Sequence, residues 1–383
     1  MINPSNKKII KLSKSCLSKK EKFFVEKVLK KEFLGMGPEV KTFEKELTRF
    51  FKRQVVCFNS GTAALHVALQ ATGIKENDEV LVPALTYISS YQSITATGAK
   101  PVVCDIDLSS LQISLSEIKK KITKKTKAIM PVHFSGSVGE IEKINAFAKK
   151  NKIRVIEDAA HAFGTEYKSK KIGSFGDIAC FSFDGIKNIT SGEGGCLVTN
   201  DKKVIKLSKD IRTLGVINDS RNKYLGQRTW KGDVKIQGWR YHMSDINAAI
   251  GRAQLLRFNS FSKKRKKLCK MYDKKFENHS LIRVFKRNYE QEVPHIYVIR
   301  ILNLKKRELL RKRLLKVGIQ TGIHYQPGYT FSKFKKSKFL YPNTEKIYKE
   351  LVTLPLHFDL SKKNIEFIYN SLNSLVFNPQ FSS

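Results

Sequence analysis

Residues 181–195 read Phe-Ser-Phe-Asp-Gly-Ile-Lys-Asn-Ile-Thr-Ser-Gly-Glu-Gly-Gly, an apolar strand that breaks into a glycine-rich turn with one lysine, Lys187, in the break. The chain has 72 lysine and arginine residues, most of which we expect to be solvated surface charges, so residue type alone says little. The setting of Lys187 distinguishes it. At a strand end beside glycines, partial desolvation or neighbouring cations lower the pKa of an amine and make it a nucleophile toward carbonyl groups. Lys187 is therefore the predicted catalytic residue.

Short apolar runs alternate with helical patterns over the first two-thirds of the chain. The runs cover residues 55–58, 79–83, 101–105, 127–132, 154–157, 178–183 and 196–199. The helical patterns cover residues 17–34, 39–51, 62–72 and 138–150. This alternation predicts an α/β fold with a mostly parallel central sheet flanked by helices. Ligands are then expected at the carboxyl ends of the strands.

The pattern changes after about residue 258, which indicates a second domain. We predict a large cofactor-binding α/β domain over residues 1–260 and a small C-terminal α+β domain over residues 261–383. The small domain is expected to contain a strand at residues 294–302 and helices at residues 262–276, 305–317, 344–352 and 362–372.

Bulk composition excludes several classes of protein. The 383 residues are 41% hydrophobic, enough for a real core. The polar, basic N-terminus and the lack of any uncharged 18-residue span predict a cytoplasmic protein without membrane insertion. The six cysteines are scattered without a C-x-x-C pair, so neither a metal site nor a disulfide framework is expected.

The formal net charge of +38 requires an explanation. Nucleic-acid binding is one, because phosphate neutralisation drives such affinity. The lysines occur throughout the chain rather than in one block with interleaved aromatic residues, which favours a lysine-biased solvated surface. Weak attraction to anionic membranes or to anionic small substrates is the remaining alternative. We expect no nucleic-acid partner.

Ser60, Gly61 and Thr62 directly follow an apolar run and open a helical pattern. A helix start presents unpaired N–H groups, small residues let the backbone approach an anion, and the two hydroxyls add donors. This arrangement suits a phosphate group, and it is equally typical of an ordinary helix N-cap. Both interpretations stay open from the sequence.

An acidic pair, Glu157 and Asp158, ends a β-branched run and is followed by His161. A carboxylate there can pair with a protonated ring nitrogen and keep it cationic, as an electron-withdrawing cofactor requires. The alternatives are a helix N-cap for Asp158 and a hydrogen-bonded interior histidine for His161. Taken alone, the motif favours these alternatives.

Two further segments place polar side chains near strand ends. Ser182 lies on the strand that leads to Lys187, so its hydroxyl could reach a phosphate while the lysine reaches the carbonyl carbon of the same ligand. The alternative there is a glycine-rich hairpin. Residues 238–251 carry Arg240 ahead of a helix rich in small residues. They fit either a contact with the ligand of a neighbouring subunit or a plain core helix.

Together and in this order, these segments resemble the DegT-type nucleotide-sugar aminotransferases, a branch of the fold type I pyridoxal-phosphate enzymes. The likeness runs from about residue 35 to residue 256 and resumes in the predicted small domain. So many matches in register are far more specific than any one of them. The matching motifs are Gly35-x-Gly37-Pro38, Ser60-Gly61-Thr62, Val82-Pro83 with Thr86-Tyr87, Pro131-Val132-His133, Glu157-Asp158-Ala159-Ala160, Ser182-Phe183 with Lys187, Gly192-Glu193-Gly194-Gly195 and Gly322-Ile323-His324-Tyr325.

The resemblance implies that pyridoxal 5'-phosphate is the cofactor and assigns residues to its ring. Lys187 would bind the cofactor aldehyde covalently, and Asp158 would pair with the pyridine nitrogen. Tyr87 would stack on one face of the ring, with Ala160 packed on the other. His161 would lie near the ring hydroxyl.

The resemblance also implies phosphate and substrate contacts. Gly61, Thr62 and Ser182 would hold the cofactor phosphate. In the family a residue of the 238–251 segment completes the phosphate site of the adjacent subunit, so a homodimer with shared active sites is implied. Arg240 would bind either the cofactor phosphate or the diphosphate of the substrate. The residues implied in substrate binding are Gly35, His324 and Tyr325.

The implied activity is amino transfer, with glutamate as donor, to a nucleotide-linked keto sugar. Such enzymes make amino sugars for surface polysaccharides such as lipopolysaccharide and O-antigen. The sequences Asn188-Ile189-Thr190 and Ala159-Ala160-His161 look more like the 4-keto-6-deoxy branch than the 3-keto branch. The alternatives are a 3-keto aminotransferase and a regulatory or nucleic-acid-binding protein on the same fold. A sugar dehydratase relative would carry histidine in place of Lys187.

Overall fold

The computed structural model describes residues 9–217 and 233–378. Its centre is a seven-stranded sheet with the order β1-β9-β8-β5-β4-β2-β3. Strand β9 runs antiparallel to both of its neighbours, and the other strands share one direction. The expected mostly parallel sheet is confirmed. The strands of this sheet are β1 (Gln54–Phe58), β2 (Glu79–Pro83), β3 (Lys100–Cys104), β4 (Thr126–Ile129), β5 (Arg154–Asp158), β8 (Ile178–Ser182) and β9 (Gly195–Thr199). A separate two-stranded ribbon, β6 (Glu166–Tyr167) and β7 (Lys170–Lys171), lies between β5 and β8 in the chain order.

Helices cover both faces of this sheet. Alternate residues of β1 show why, since Val56 and Phe58 pack on one side and Val55 and Cys57 on the other. The helices of this part are α1 (Lys19–Leu29), α2 (Pro38–Phe51), α3 (Gly61–Ala71), α4 (Ile88–Thr95), α5 (Leu115–Lys121), α6 (Ile141–Lys150), α7 (Lys202–Ile211) and α8 (Asp245–Phe276), and a second ribbon pairs β10 (Val216–Ile217) with β11 (Asp233–Val234).

A smaller antiparallel sheet follows in the C-terminal third. Its strands are β12 (Ile282–Val284), β13 (Tyr297–Ile301) and β14 (Leu351–Leu354), and its helices are α9 (Arg307–Lys316), α10 (Pro342–Ile347) and α11 (Lys362–Val376). The prediction of a helix over residues 344–352 is wrong at its C-terminal end. All four residues of β14 are buried and pair with β13, so sheet formation overrides the helical pattern there.

Helix α8 joins the two sheets. Its first half packs with α2 through Ala248 and Phe258, and its second half packs against the small sheet through Leu268 and Tyr272. The helix expected at residues 262–276 is therefore the second half of a 32-residue helix. The proposed domain boundary at residue 260 falls inside it and stays a prediction.

Two further properties concern the whole described part of the chain. All six cysteines are free thiols. Within residues 9–217 and 233–378, no helix is long and apolar enough to cross a bilayer.

Asp245, the first residue of α8, also caps α2. Its carboxylate accepts hydrogen bonds from the backbone N–H groups of Gly37, at 2.8 Å, Val40, at 3.0 Å, and Glu39, at 3.2 Å. Asp245 is 2% exposed. Burial raises the pKa of this carboxyl, and the backbone donors oppose that rise. One buried carboxylate thus joins the Gly35-x-Gly37-Pro38 motif to the 238–251 segment.

Replacing Asp245 tests this cap. Asp245→Ala should lower the free energy of unfolding by about 2–3 kcal/mol, because buried N–H groups lose their acceptor. Asp245→Asn keeps one acceptor oxygen and should lose less. Urea unfolding monitored by circular dichroism measures both. The exposed Asp233→Ala is the matched control, and a loss in Asp245→Ala no larger than in that control would refute the assignment.

Candidate active site

A cavity of about 400 Å³ opens where β5 and β8 end and α3 begins. This is the edge at which ligands of parallel sheets bind. The structure therefore brings most of the residues predicted from sequence into one place. Those lining the cavity are Gly61, Thr62, Tyr87, Asp158, Ala160, His161, Ser182, Lys187, His324 and Tyr325.

Glycines allow the backbone segments around the cavity to approach one another. A Cβ atom on Gly61 would lie 2.8 Å from Cβ of Ser182. A Cβ atom on Gly195 would lie 2.6 Å from the backbone nitrogen of Gly61. Since real Cβ atoms are not found so close to other heavy atoms, both positions require glycine. The start of α3 is thereby held against the end of β8.

Both interpretations of the Ser-Gly-Thr segment hold in the structure. Ser60 is the N-cap of α3, and its Oγ accepts the N–H of Ala63 at 3.0 Å. The first N–H groups of a helix have no partner inside the helix. Gly61 and Thr62 carry such groups and line the cavity. The helix start is capped and is also suited to an anion.

The carboxylate of Asp158 is buried and fixed. Its Oδ2 accepts the hydroxyl of Ser90 at 2.7 Å, and its Oδ1 accepts the N–H of Ala160 at 3.2 Å. Because Ser90 donates to the carboxylate, the hydroxyl of Thr86, 2.9 Å away, donates to Ser90. Ser90 was not predicted from the sequence. The spacing of Thr86 and Ser90, one helical turn apart beside Tyr87, is the signal that could have found it.

Lys187 lies in the turn that joins β8 to β9. Removal from water lowers the pKa of its amine to about 8, with Arg265 adding to that effect and Asp158 and Asp184 opposing it. Relative to an ordinary lysine, this raises the fraction of neutral amine at pH 7 by roughly two orders of magnitude. The hairpin alternative also holds, since Ser182 pairs with Gly195 across antiparallel strands. The turn of a hairpin therefore carries a lysine whose pKa is lowered.

Two histidines lie against one another beside Lys187. His161 accepts the N–H of Ser135 through Nδ1 at 3.2 Å, so its Nε2 carries the proton of the hydrogen bond to the Tyr325 hydroxyl at 2.8 Å. Its ring centroid is 4.4 Å from that of His295. Burial holds the pKa of both imidazoles well below the usual range, and the charge of Lys187 adds to this. His161 is thus a hydrogen-bonded interior histidine that also lines the cavity.

The C-terminal third of the chain supplies the opposite wall. His324 contacts the hydroxyl of Thr353 through Nδ1 at 2.8 Å, and burial lowers the pKa of its imidazole to about 4. The ring of Tyr325 lies 5.6 Å from that of Tyr87. Tyr87 is 57% exposed at the cavity mouth, so one face of its ring is free to cover a ligand.

Gly35 and Arg240 lie outside the cavity of their own chain. The carbonyl oxygen of Gly35 accepts the N–H of Asp245 at 2.8 Å, which gives this glycine a structural contact. Arg240 is exposed, and its backbone bridges Thr213. Their roles in substrate and phosphate binding stay predictions.

Residues 15–373 match the DegT/DnrJ/EryC1/StrS aminotransferase family. The GDP-perosamine synthase of Escherichia coli O157:H7 is 36% identical over 371 residues, covering 96% of this chain and 98% of that protein. The spore coat polysaccharide biosynthesis protein SpsC of Bacillus subtilis (strain 168) is 33% identical over 371 residues, covering 94% and 95%.

Solved structures show the same architecture. The PLP form of Spr1654 from Streptococcus pneumoniae has a TM-score of 0.87 at 29% identity and covers 96% of this chain and 98% of its own. Helicobacter pylori PseC, an aminotransferase involved in the biosynthesis of pseudoaminic acid, has a TM-score of 0.88 at 27% identity and covers 97% and 100%. These matches confirm the expected fold type I class and the expectation of an enzyme. This chain belongs to the DegT/DnrJ/EryC1/StrS family of aminotransferases.

Proposed function

We propose that this enzyme uses pyridoxal phosphate to transfer an amino group from glutamate to a nucleotide-linked 4-keto-6-deoxy sugar. The observation that carries the proposal is the amine of Lys187, with its pKa lowered to about 8, in a cavity shared with Asp158 and the start of α3. The expected cofactor is confirmed by the PLP and PMP forms of Spr1654. A cytoplasmic location stays part of the proposal.

The residues around the cavity fit the groups of this cofactor. Gly61 allows Ser182 to lie against the start of α3, so Ser182 and the first N–H groups of this helix line the same cavity, which suits a phosphate. The buried carboxylate of Asp158 suits a protonated ring nitrogen. We assign the phosphate to Gly61, Thr62 and Ser182.

When bound, pyridoxal phosphate supplies an aldehyde that condenses with amines and a ring that withdraws electrons. Asp158, oriented by Ser90 and by the Ala160 N–H, would hold a proton at the ring nitrogen. Nζ of Lys187 would accept the α-proton of the amino donor and later deliver a proton to the sugar carbon that gains nitrogen. A pKa of about 8 suits both directions, because acid–base catalysis is most effective when the pKa lies near the working pH.

Borohydride trapping tests the role of Lys187. Reduction of the protein with pyridoxal phosphate should place the adduct on Lys187, read by peptide mass spectrometry. Lys187→Ala should lose the adduct and lower kcat by about 10³-fold or more, because the nucleophile and the proton carrier are both removed. The exposed Lys235→Ala is the control. An adduct on another lysine, or none, contradicts the assignment.

One similarity supports the 4-keto position of the proposed sugar, and another supports its linkage to a nucleotide. The motifs Asn188-Ile189-Thr190 and Ala159-Ala160-His161 resemble the 4-keto branch. The GDP-perosamine synthase relative is named for a GDP-linked sugar. The similarity to the spore coat polysaccharide protein SpsC further supports a role in surface polysaccharide synthesis, including lipopolysaccharide or O-antigen.

A substrate panel tests this choice. Glutamate with 4-keto-6-deoxy nucleotide sugars should give amino-sugar product, whereas the 3-keto isomers should react at least about tenfold more slowly in kcat/KM. Product analysis by mass spectrometry and NMR measures both. The panel should carry UDP, dTDP and GDP forms of each sugar, so that the base does not bias the result. Turnover of the 3-keto substrates alone would refute the 4-keto proposal.

We propose that the active unit is a homodimer in which Arg240 reaches the phosphate site of the other subunit. Two observations support a second copy as partner. Arg240 is exposed. Large apolar side chains are also exposed, each by at least 51%, at Phe23, Leu29 and Phe33.

Sedimentation should therefore give about twice the chain mass of 43.8 kDa. Arg240→Ala should weaken pyridoxal phosphate binding about tenfold without changing that mass, because a charged hydrogen bond to phosphate is lost. Lys235→Ala is again the matched control. A monomer, or unchanged cofactor affinity in Arg240→Ala, would contradict the shared site.

A further inference from the structure

The amine of Lys187 has an unexpected neighbour. Nε2 of His295 lies 3.5 Å from Nζ of Lys187. Within residues 9–217 and 233–378, His295 is the side-chain hydrogen-bond partner of this amine. Asp158 and Asp184 act on the amine only through their charge. His295 is 3% exposed. Its segment leads into β13, so the part of the chain that forms the small sheet supplies a contact to the lysine at the edge of the large sheet.

The backbone of His295 is held by two hydrogen bonds, and a second ring packs on its imidazole. Its backbone N–H donates to the carbonyl of Ser135 at 3.2 Å, and its carbonyl accepts Nη1 of Arg265 at 2.9 Å. The ring of His161 packs 4.4 Å away. The long helix α8 and the loop after β4 thus hold the backbone of His295, and the packed ring of His161 limits where its imidazole can lie.

The charged surroundings keep this imidazole neutral. The titratable groups that face it are Lys187, His161, Arg265 and His324, of which Lys187 and Arg265 carry the positive charges that disfavour a further one. Desolvation acts in the same direction. A neutral imidazole has one bare nitrogen, and a protonated amine can only donate. When Lys187 is protonated, Nε2 of His295 is therefore the acceptor.

We propose that His295 is a positioning residue for Lys187, which holds the amine in the cavity by accepting its hydrogen bond at Nε2 and so stabilises the protonated amine. The consequence for catalysis rests on the proposed function, in which Lys187 both accepts and delivers a proton. Loss of the acceptor leaves the ammonium buried without a hydrogen-bond partner. Lys187 then becomes a poorer proton acceptor and is less well placed.

The test measures the amine itself, in full-length protein freed of cofactor. Competitive acetylation with acetic anhydride at a series of pH values, read on the Lys187 peptide by mass spectrometry, reports the pKa of the amine. The wild-type midpoint should lie near pH 8. In His295→Phe the midpoint should fall by about one unit, because the protonated form loses its acceptor. In His295→Gln, whose side-chain oxygen can accept, it should stay near that of the wild type.

The loaded enzyme gives a second readout. His295→Phe should lower kcat about tenfold with little change in KM, and His295→Gln should restore most of it. The matched control is His279→Asn, since His279 is also buried but contacts Asn373. If His295→Phe does not fold, His295→Leu takes its place in the same comparison with His295→Gln.

An unchanged midpoint in the apolar variant, or a glutamine variant that behaves like it, would overturn the proposal. The acetylation profile needs neither cofactor nor sugar. Failure of the proposed function would therefore appear as absent amino transfer with the midpoint shift still present, which separates the two outcomes.

Discussion

The approach of three backbone segments at Gly61, Ser182 and Gly195 is the constraint on which the active site depends. Gly195 pairs with Phe58 of β1 on one side and with Ser182 of β8 on the other. The antiparallel strand β9, which begins at Gly195, therefore lies between β1 and β8. Any side chain at Gly195 would meet the backbone of residues 60 and 61. Without this contact the helix start, the hairpin turn and the lysine in that turn would not face the same space.

Electrostatics at this edge follow from burial. Desolvation makes the Lys187 amine easier to deprotonate, and it keeps the neighbouring imidazoles of His161 and His295 uncharged. The carboxylate of Asp158 is buried as well, but hydrogen bonds from Ser90 and Ala160 satisfy it. The site can therefore combine acid, base and anion-binding groups around one cavity.

The long helix α8 couples this edge to the rest of the chain. Its first residue caps α2, its middle supplies Arg265 to the backbone of His295, and its end packs on the small sheet. The sequence suggested two separate helical segments here, because the apolar pattern changes near residue 258. The pattern changes where the packing partner changes, and the helix itself continues.

Local sequence determined the strand ends, the glycine turns and Lys187, because strand period, helix starts and glycine turns are short-range properties. The role of Asp158 and most of the cavity lining were implied by the resemblance of the motifs to a family. Only the tertiary structure decided that Ser90 holds Asp158 and that His295 holds Lys187. His295 is 108 residues from Lys187 in the chain. No local pattern specifies such a contact, because it arises from the packing of the small sheet against the carboxyl edge of the large one.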